Sequence, residues 1–155
     1  MKRTLLLPLA AILAVAQTNP EIVYWPAAKI KEYSSTLKNA QIAKKSTTAS
    51  EILSDLGNCK FEILRRDGSG TGELHRNWTD VFVVQGGEAT ILYGGAIEAP
   101  NDTGNGEIRG PKVIGGKSQK MAAGDVLVMP AGVPHQTVVE AGKSFFALIV
   151  KVPKK

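Results

Sequence analysis

From Lys60 to its C-terminus the chain is cut into short runs rich in β-branched and aromatic residues, each followed by a turn, and this pattern predicts an all-β fold. The runs are Phe61–Arg65, Val81–Val84, Ala89–Tyr93, Val126–Met129, Gln136–Val139 and Phe145–Val152. Asp67-Gly68, Gln85-Gly86-Gly87 and Ala141-Gly142 each lie between two runs and predict hairpins. The stretch between Tyr93 and Met121 differs from the rest, with seven glycines and with prolines at 100 and 111. It reads as a long connection at a barrel end carrying a short strand near Glu107-Ile108-Arg109, and serves either as a lid or as an insertion without structure.

The residues before Lys60 have another character. Pro26 opens a helix in which Ile30, Tyr33 and Leu37 form an apolar stripe against Lys29, Lys31, Glu32 and Lys38. Ser50 is placed to cap a short turn of helix through Leu56, with Gly57 ending it. Residues 17–57 are therefore expected to be a helical segment packed on a β-domain of residues 58–155. At the start, Lys2 and Arg3 precede an apolar run from Leu5 to Val15, closed by the small-x-small triplet Ala14-Val15-Ala16. Residues 1–16 read as a signal peptide, because the run is well short of the roughly 20 residues that span a bilayer. The expectation is a periplasmic or secreted protein with no stable membrane association after the leader is removed.

Composition narrows the function classes. Cys59 is the single cysteine, which excludes an internal disulfide framework and a thiolate metal cluster and suits a small buried hydrophobe. Without the first sixteen residues 17 basic side chains face 14 acidic ones, a modest excess of +3. No basic stretch is interleaved with aromatics, so no nucleic-acid partner is expected.

The chemistry concentrates on the two histidines. His75 follows Glu73 at the two-residue spacing that puts both on one face of a strand, and Asp80 shares a face with Phe82 and Val84 on the next. His135 closes the segment Gly124-Asp125-Val126-Leu127-Val128-Met129-Pro130-Ala131-Gly132-Val133-Pro134-His135. This second segment resembles the second motif of the cupin superfamily, a glycine, five residues, Pro-x-Gly, two residues and a histidine, matched by Gly124, Pro130, Gly132 and His135. Val139 stands where an asparagine often follows. The first cupin motif has a glycine, His-x-His, a glutamate and a further glycine, and here Glu73-x-His75, Asp80 and Gly87 keep its spacing, with Gly68 one place from the leading glycine.

The resemblance implies a cupin-type β-barrel, a double-stranded β-helix or jelly roll, carrying an N-terminal amphipathic helix. It further implies one divalent ion, Fe, Mn, Ni or Zn, held by His75, His135, Asp80 and Glu73 inside the barrel, with Glu73 in the place of a histidine and Asp80 in the place of a glutamate. Glu73 is either a ligand or a catalytic general base. The family also implies a small-molecule ligand, isomerase, lyase or dioxygenase chemistry, and a homodimer. The alternative is a metal-free ligand-binding or structural barrel, in which an imidazole beside a carboxylate still makes an acid-base pair.

Overall fold

The structure, a computed structural model, describes residues 22–155; the signal-peptide reading at 1–16 lies outside them. Among the described residues no helix is long and apolar enough to cross a membrane. In the described residues one helix, α1 (Ala27–Lys44), precedes twelve strands. These are β1 (Thr48–Asp55), β2 (Lys60–Arg66), β3 (Gly72–His75), β4 (Trp78–Tyr93), β5 (Ala96–Ile97), β6 (Asn101–Gly104), β7 (Glu107–Gly110), β8 (Val113–Ile114), β9 (Lys117–Ala122), β10 (Val126–Met129), β11 (His135–Val138) and β12 (Phe145–Pro153).

The long strand β4 is the spine. Its first half, as far as Gly87, runs between β12 and β10, and its second half, from Glu88, runs between β11 and β9. β2 and β1 extend the first half beyond β12, while β3, β7 and β6 extend the second beyond β11. β5 and β8 pair separately. The curled antiparallel sheet wraps a core of Leu64, Phe82, Val84, Ala89, Ile91, Met121, Met129, Phe145, Ala147 and Ile149. Each large apolar side chain fully buried there contributes about 1.5–3 kcal/mol of transfer free energy.

The stripe expected on the N-terminal helix is the face that packs. Leu37 joins Ile63 and Phe146 in a second cluster, flanked by Ile30 and Tyr33, so α1 covers the outer surface of β2 and β12. One turn beyond Leu37, the buried Gln41 donates its Nε2 to the carbonyls of Thr47 (2.7 Å) and Arg65 (3.3 Å), tying the helix end to the sheet.

Several local expectations are corrected. Ser50–Leu56 is strand, not helix, because pairing of β1 with β2 outcompetes a single turn of helix, which is costly to nucleate. Gly57, with φ of 79°, lies in the β1–β2 turn and donates its N–H to Asp55 Oδ1. Gln85-Gly86-Gly87 does not reverse the chain: it is a bulge inside β4, where the register with β12 slips between Phe146 and Ala147. Asp67-Gly68 and Ala141-Gly142 are turns but not hairpins, since β2 and β3, like β11 and β12, lie in opposite halves of the barrel. Turn residues mark where a chain bends; the partner it bends towards is set by long-range packing. The glycine-rich connection carries the strand expected near Glu107-Ile108-Arg109, which is β7 and joins the main sheet beside β3, and with β5, β6 and β8 it is not an insertion without structure.

Candidate functional site

Four cross-strand pairs assemble the polar centre. β3 and β11 set Glu73 opposite His135; β3 and β7 set Glu73 opposite Arg109 and His75 opposite Glu107; β4 and β12 set Asp80 opposite Lys151. Side chains at such positions stand about 5 Å apart at Cβ and interact directly. Glu73, His75, Asp80 and His135 are all buried, although charged side chains are seldom buried without partners. The loop before His135 is shaped by Pro130 and by Gly132, whose φ of 83° suits the third position of the turn closed by Val133 N–H to the Pro130 carbonyl. The same Gly132 donates its N–H to the His75 carbonyl at 2.8 Å, locking the second motif against the strand that carries the first.

The hydrogen bonds assign the ring nitrogens. His135 Nδ1 lies 3.0 Å from the Val133 carbonyl, which can only accept, so Nδ1 carries the proton and Nε2 keeps its lone pair. That Nε2 is buried without a hydrogen-bond partner, 3.6 Å from Glu73 Oε1. His75 Nδ1 sits 2.7 and 2.8 Å from the two oxygens of Glu107, and its Nε2 faces Asp80 Oδ2 at 3.3 Å and Lys151 Nζ at 3.4 Å. The two rings stand 5.3 Å apart. Arg109 reaches Glu73 Oε2 with one nitrogen and Glu107 Oε2 with the other, the latter at 2.9 Å.

Glu73, His75 and His135 each offer one ligand atom, and the three atoms lie within 4.8 Å of one another. Asp80 touches His75 but is held by a cation: both its oxygens are 2.9 Å from Lys151 Nζ. Of the four residues singled out in the sequence, three thus converge and the fourth is engaged by an ammonium. Sequence reasoning missed Lys151, Glu107 and Arg109. The signal for Lys151 was present, since it continues the inward phase of Phe145, Ala147 and Ile149 on β12 as a charge at a core position.

Burial holds His135 well below the usual imidazole range, at about 4, despite its bond to the Val133 carbonyl. Burial pushes the Asp80 carboxyl up, but the His75 hydrogen bond and the Lys151 charge outweigh it and leave Asp80 below its ordinary value. A histidine kept neutral in the fold is protonated more readily when unfolded. Its contribution is therefore complete above about pH 6.5 and is lost as pH falls towards 4. In metal-free protein the urea midpoint should fall across that window, corresponding to about 3 kcal/mol in all from this residue. In His135→Gln the fall should be shallower by that amount; an equal slope in both proteins would refute a neutral His135.

A cavity of about 380 Å³ is lined by Tyr93, Gln119, Leu127, Val128, Met129, Pro130 and Val133. Two of its lining residues are register partners of the polar centre, Tyr93 of His135 and Met129 of Asp80. Its walls are mainly apolar with one amide, the composition of a small-molecule site. A second cavity of about 220 Å³ lies beside Glu88, Lys120 and Lys143, and none of the four predicted site residues lines either cavity.

No family model matches the sequence, and no curated protein matches it. Solved structures do match. A cupin superfamily protein from Desulfitobacterium hafniense DCB-2 aligns over 69% of this chain and 78% of its own, at 16% identity and a TM-score of 0.50. A protein from Thermus thermophilus aligns over 70% of this chain and 86% of its own, also at 16% identity, with a TM-score of 0.51. At such identities the likeness establishes the fold, and the fold is the cupin β-barrel expected from the two motifs.

Proposed function

We propose that this chain is an exported cupin that binds a small polar molecule beside one divalent metal ion held by His75 Nε2, His135 Nε2 and Glu73 Oε1. The observation that carries this reading is the orphaned Nε2 of His135, a buried lone pair facing Glu73. Leaving such an atom without a partner costs about 1–3 kcal/mol, and a metal ion would satisfy it. The donor set also fits: two imidazoles and a carboxylate suit Fe, Mn, Ni or Zn and leave positions open. Both rings have Nδ1 occupied by an acceptor, Glu107 or the Val133 carbonyl, which is the outer arrangement that orients metal-binding histidines.

A bound ion of this kind supplies Lewis acidity or oxygen activation to a substrate. The chain's own residues do the rest. The largely apolar cavity seats the substrate body, Arg109 fixes Glu73 through Oε2 and leaves Oε1 turned to the centre, and Glu107 holds the His75 proton on Nδ1. Export rests on the leader-like first sixteen residues, and is tested by N-terminal sequencing of protein recovered outside the cytoplasm.

A metal-free binding or acid-base site is the second reading, and a specific observation favours it. Lys151 and Arg109 already place two cations against Asp80 and Glu73. Elemental analysis of untagged protein separates the two: about one ion per chain is expected for the metal centre, and protein that takes up no ion even after incubation with each of the four metals would remove it. Glu107→Gln should weaken metal binding by roughly 10- to 100-fold, the usual effect of losing an outer partner, as read by dialysis against the metal. Unchanged affinity would refute that role for Glu107.

A further inference from the structure

We propose that Lys151 is a resident competitor for the metal: its ammonium withholds Asp80 from the ligand set and so sets how tightly the site binds a divalent cation. This rests on the metal reading above and goes beyond it, by assigning opposite roles to the buried Asp80 and the partly buried Lys151 of the same strand pair.

The geometry is direct. Lys151 Nζ lies 2.9 Å from each oxygen of Asp80, a symmetrical bidentate contact, and 3.4 Å from His75 Nε2. Glu107 occupies Nδ1 of His75, so Nε2 is the nitrogen that remains for an ion, and a dication bound there would sit within a few ångströms of a full positive charge. The side chains of Asp80 and Lys151 are 3% and 17% exposed, so water screens that repulsion poorly. Asp80 Oδ2 is itself only 3.3 Å from His75 Nε2. Freed from the ammonium, Asp80 is positioned to become a fourth ligand. Because Lys151 and Asp80 are direct register partners on β12 and β4, the pairing is built into the sheet rather than formed by a mobile side chain.

Lys151→Met removes the charge and keeps most of the aliphatic stem. Titrated with Co²⁺ and followed by its visible absorption, this variant should bind roughly 10- to 100-fold more tightly than wild type, with shifted bands that report a changed ligand set. Lys151→Met combined with Asp80→Asn should lose both the gain and the band shift, and Lys151→Arg, which keeps the cation, should show neither. If wild type binds Co²⁺ and Lys151→Met binds it equally with the same bands, the competitor role is overturned while the metal centre stands. If neither protein binds Co²⁺, both readings fall. Should Lys151→Met not fold, as judged by circular dichroism, Lys151→Gln gives the same readout, since it removes the charge but retains a donor for Asp80.

Discussion

With His135 replaced by alanine, the protein should keep its barrel and lose the proposed metal binding. The imidazole provides the one nitrogen in the centre that has no protein partner, so its removal takes away a ligand rather than an outer support. The loss should exceed the factor of about 100 that marks the upper range for outer partners. A thermal measurement makes the difference legible. At a metal concentration 100 times the wild-type dissociation constant, wild type gains about 2.7 kcal/mol, whereas a variant weakened 100-fold gains only about 0.4 kcal/mol. The metal-dependent rise in melting temperature should therefore almost vanish in His135→Ala. Its metal-free form should still unfold cooperatively, because the apolar core continues around Ile91, Phe82 and Phe145. A variant that retained both its ion and its thermal shift would show that His135 is not a ligand, and the centre would have to be rebuilt around other groups.

How far this site could be read in advance follows from what fixes each residue. Glu73, His75 and His135 were legible because strand alternation and a glycine-proline turn place them through local geometry. Glu107, Arg109 and Lys151 lie 32, 36 and 71 residues from His75, Glu73 and Asp80, which they contact. Their arrival depends on which strand pairs with which, and the sequence marks strands far better than it marks partners. The same limit explains the turns: Ala141-Gly142 lies between two runs, yet it carries the chain from one half of the barrel to the other. Asp80 shows what position in a motif leaves out. Its place in the motif suggested a metal ligand, and only the register of β4 with β12 reveals the ammonium that holds it. The electrostatic balance of the centre is consequently a property of pairing. Each buried acid has a cation or imidazole at the facing position, as buried charge requires.

That pairing depends on the bend in β4, and Gly87→Ala should break it. Gly87 has a φ of 71°, a conformation that costs an L-residue about 1–2 kcal/mol, and an added Cβ would meet the carbonyl of Ser144. The contact is with the Ser144 backbone, whose carbonyl accepts the N–H of Glu88 at 2.9 Å, so it cannot swing aside as a flexible side chain would. Strain and overlap together should lower stability by about 3 kcal/mol or more. Gly86→Ala is the matched control. A Cβ there would meet only Phe146 Cδ1 at 4.0 Å, an ordinary contact, so its urea midpoint should lie close to that of wild type. The consequence for the centre is specific. Asp80 precedes the bend and faces Lys151, whereas Tyr93, beyond it, faces His135, so displacing the bend moves Asp80 relative to His135. Gly87→Ala that still folds should therefore bind metal more weakly than Gly86→Ala. Equal urea midpoints for the two variants would show that the bend tolerates a side chain, and the strain assigned to Gly87 would be wrong.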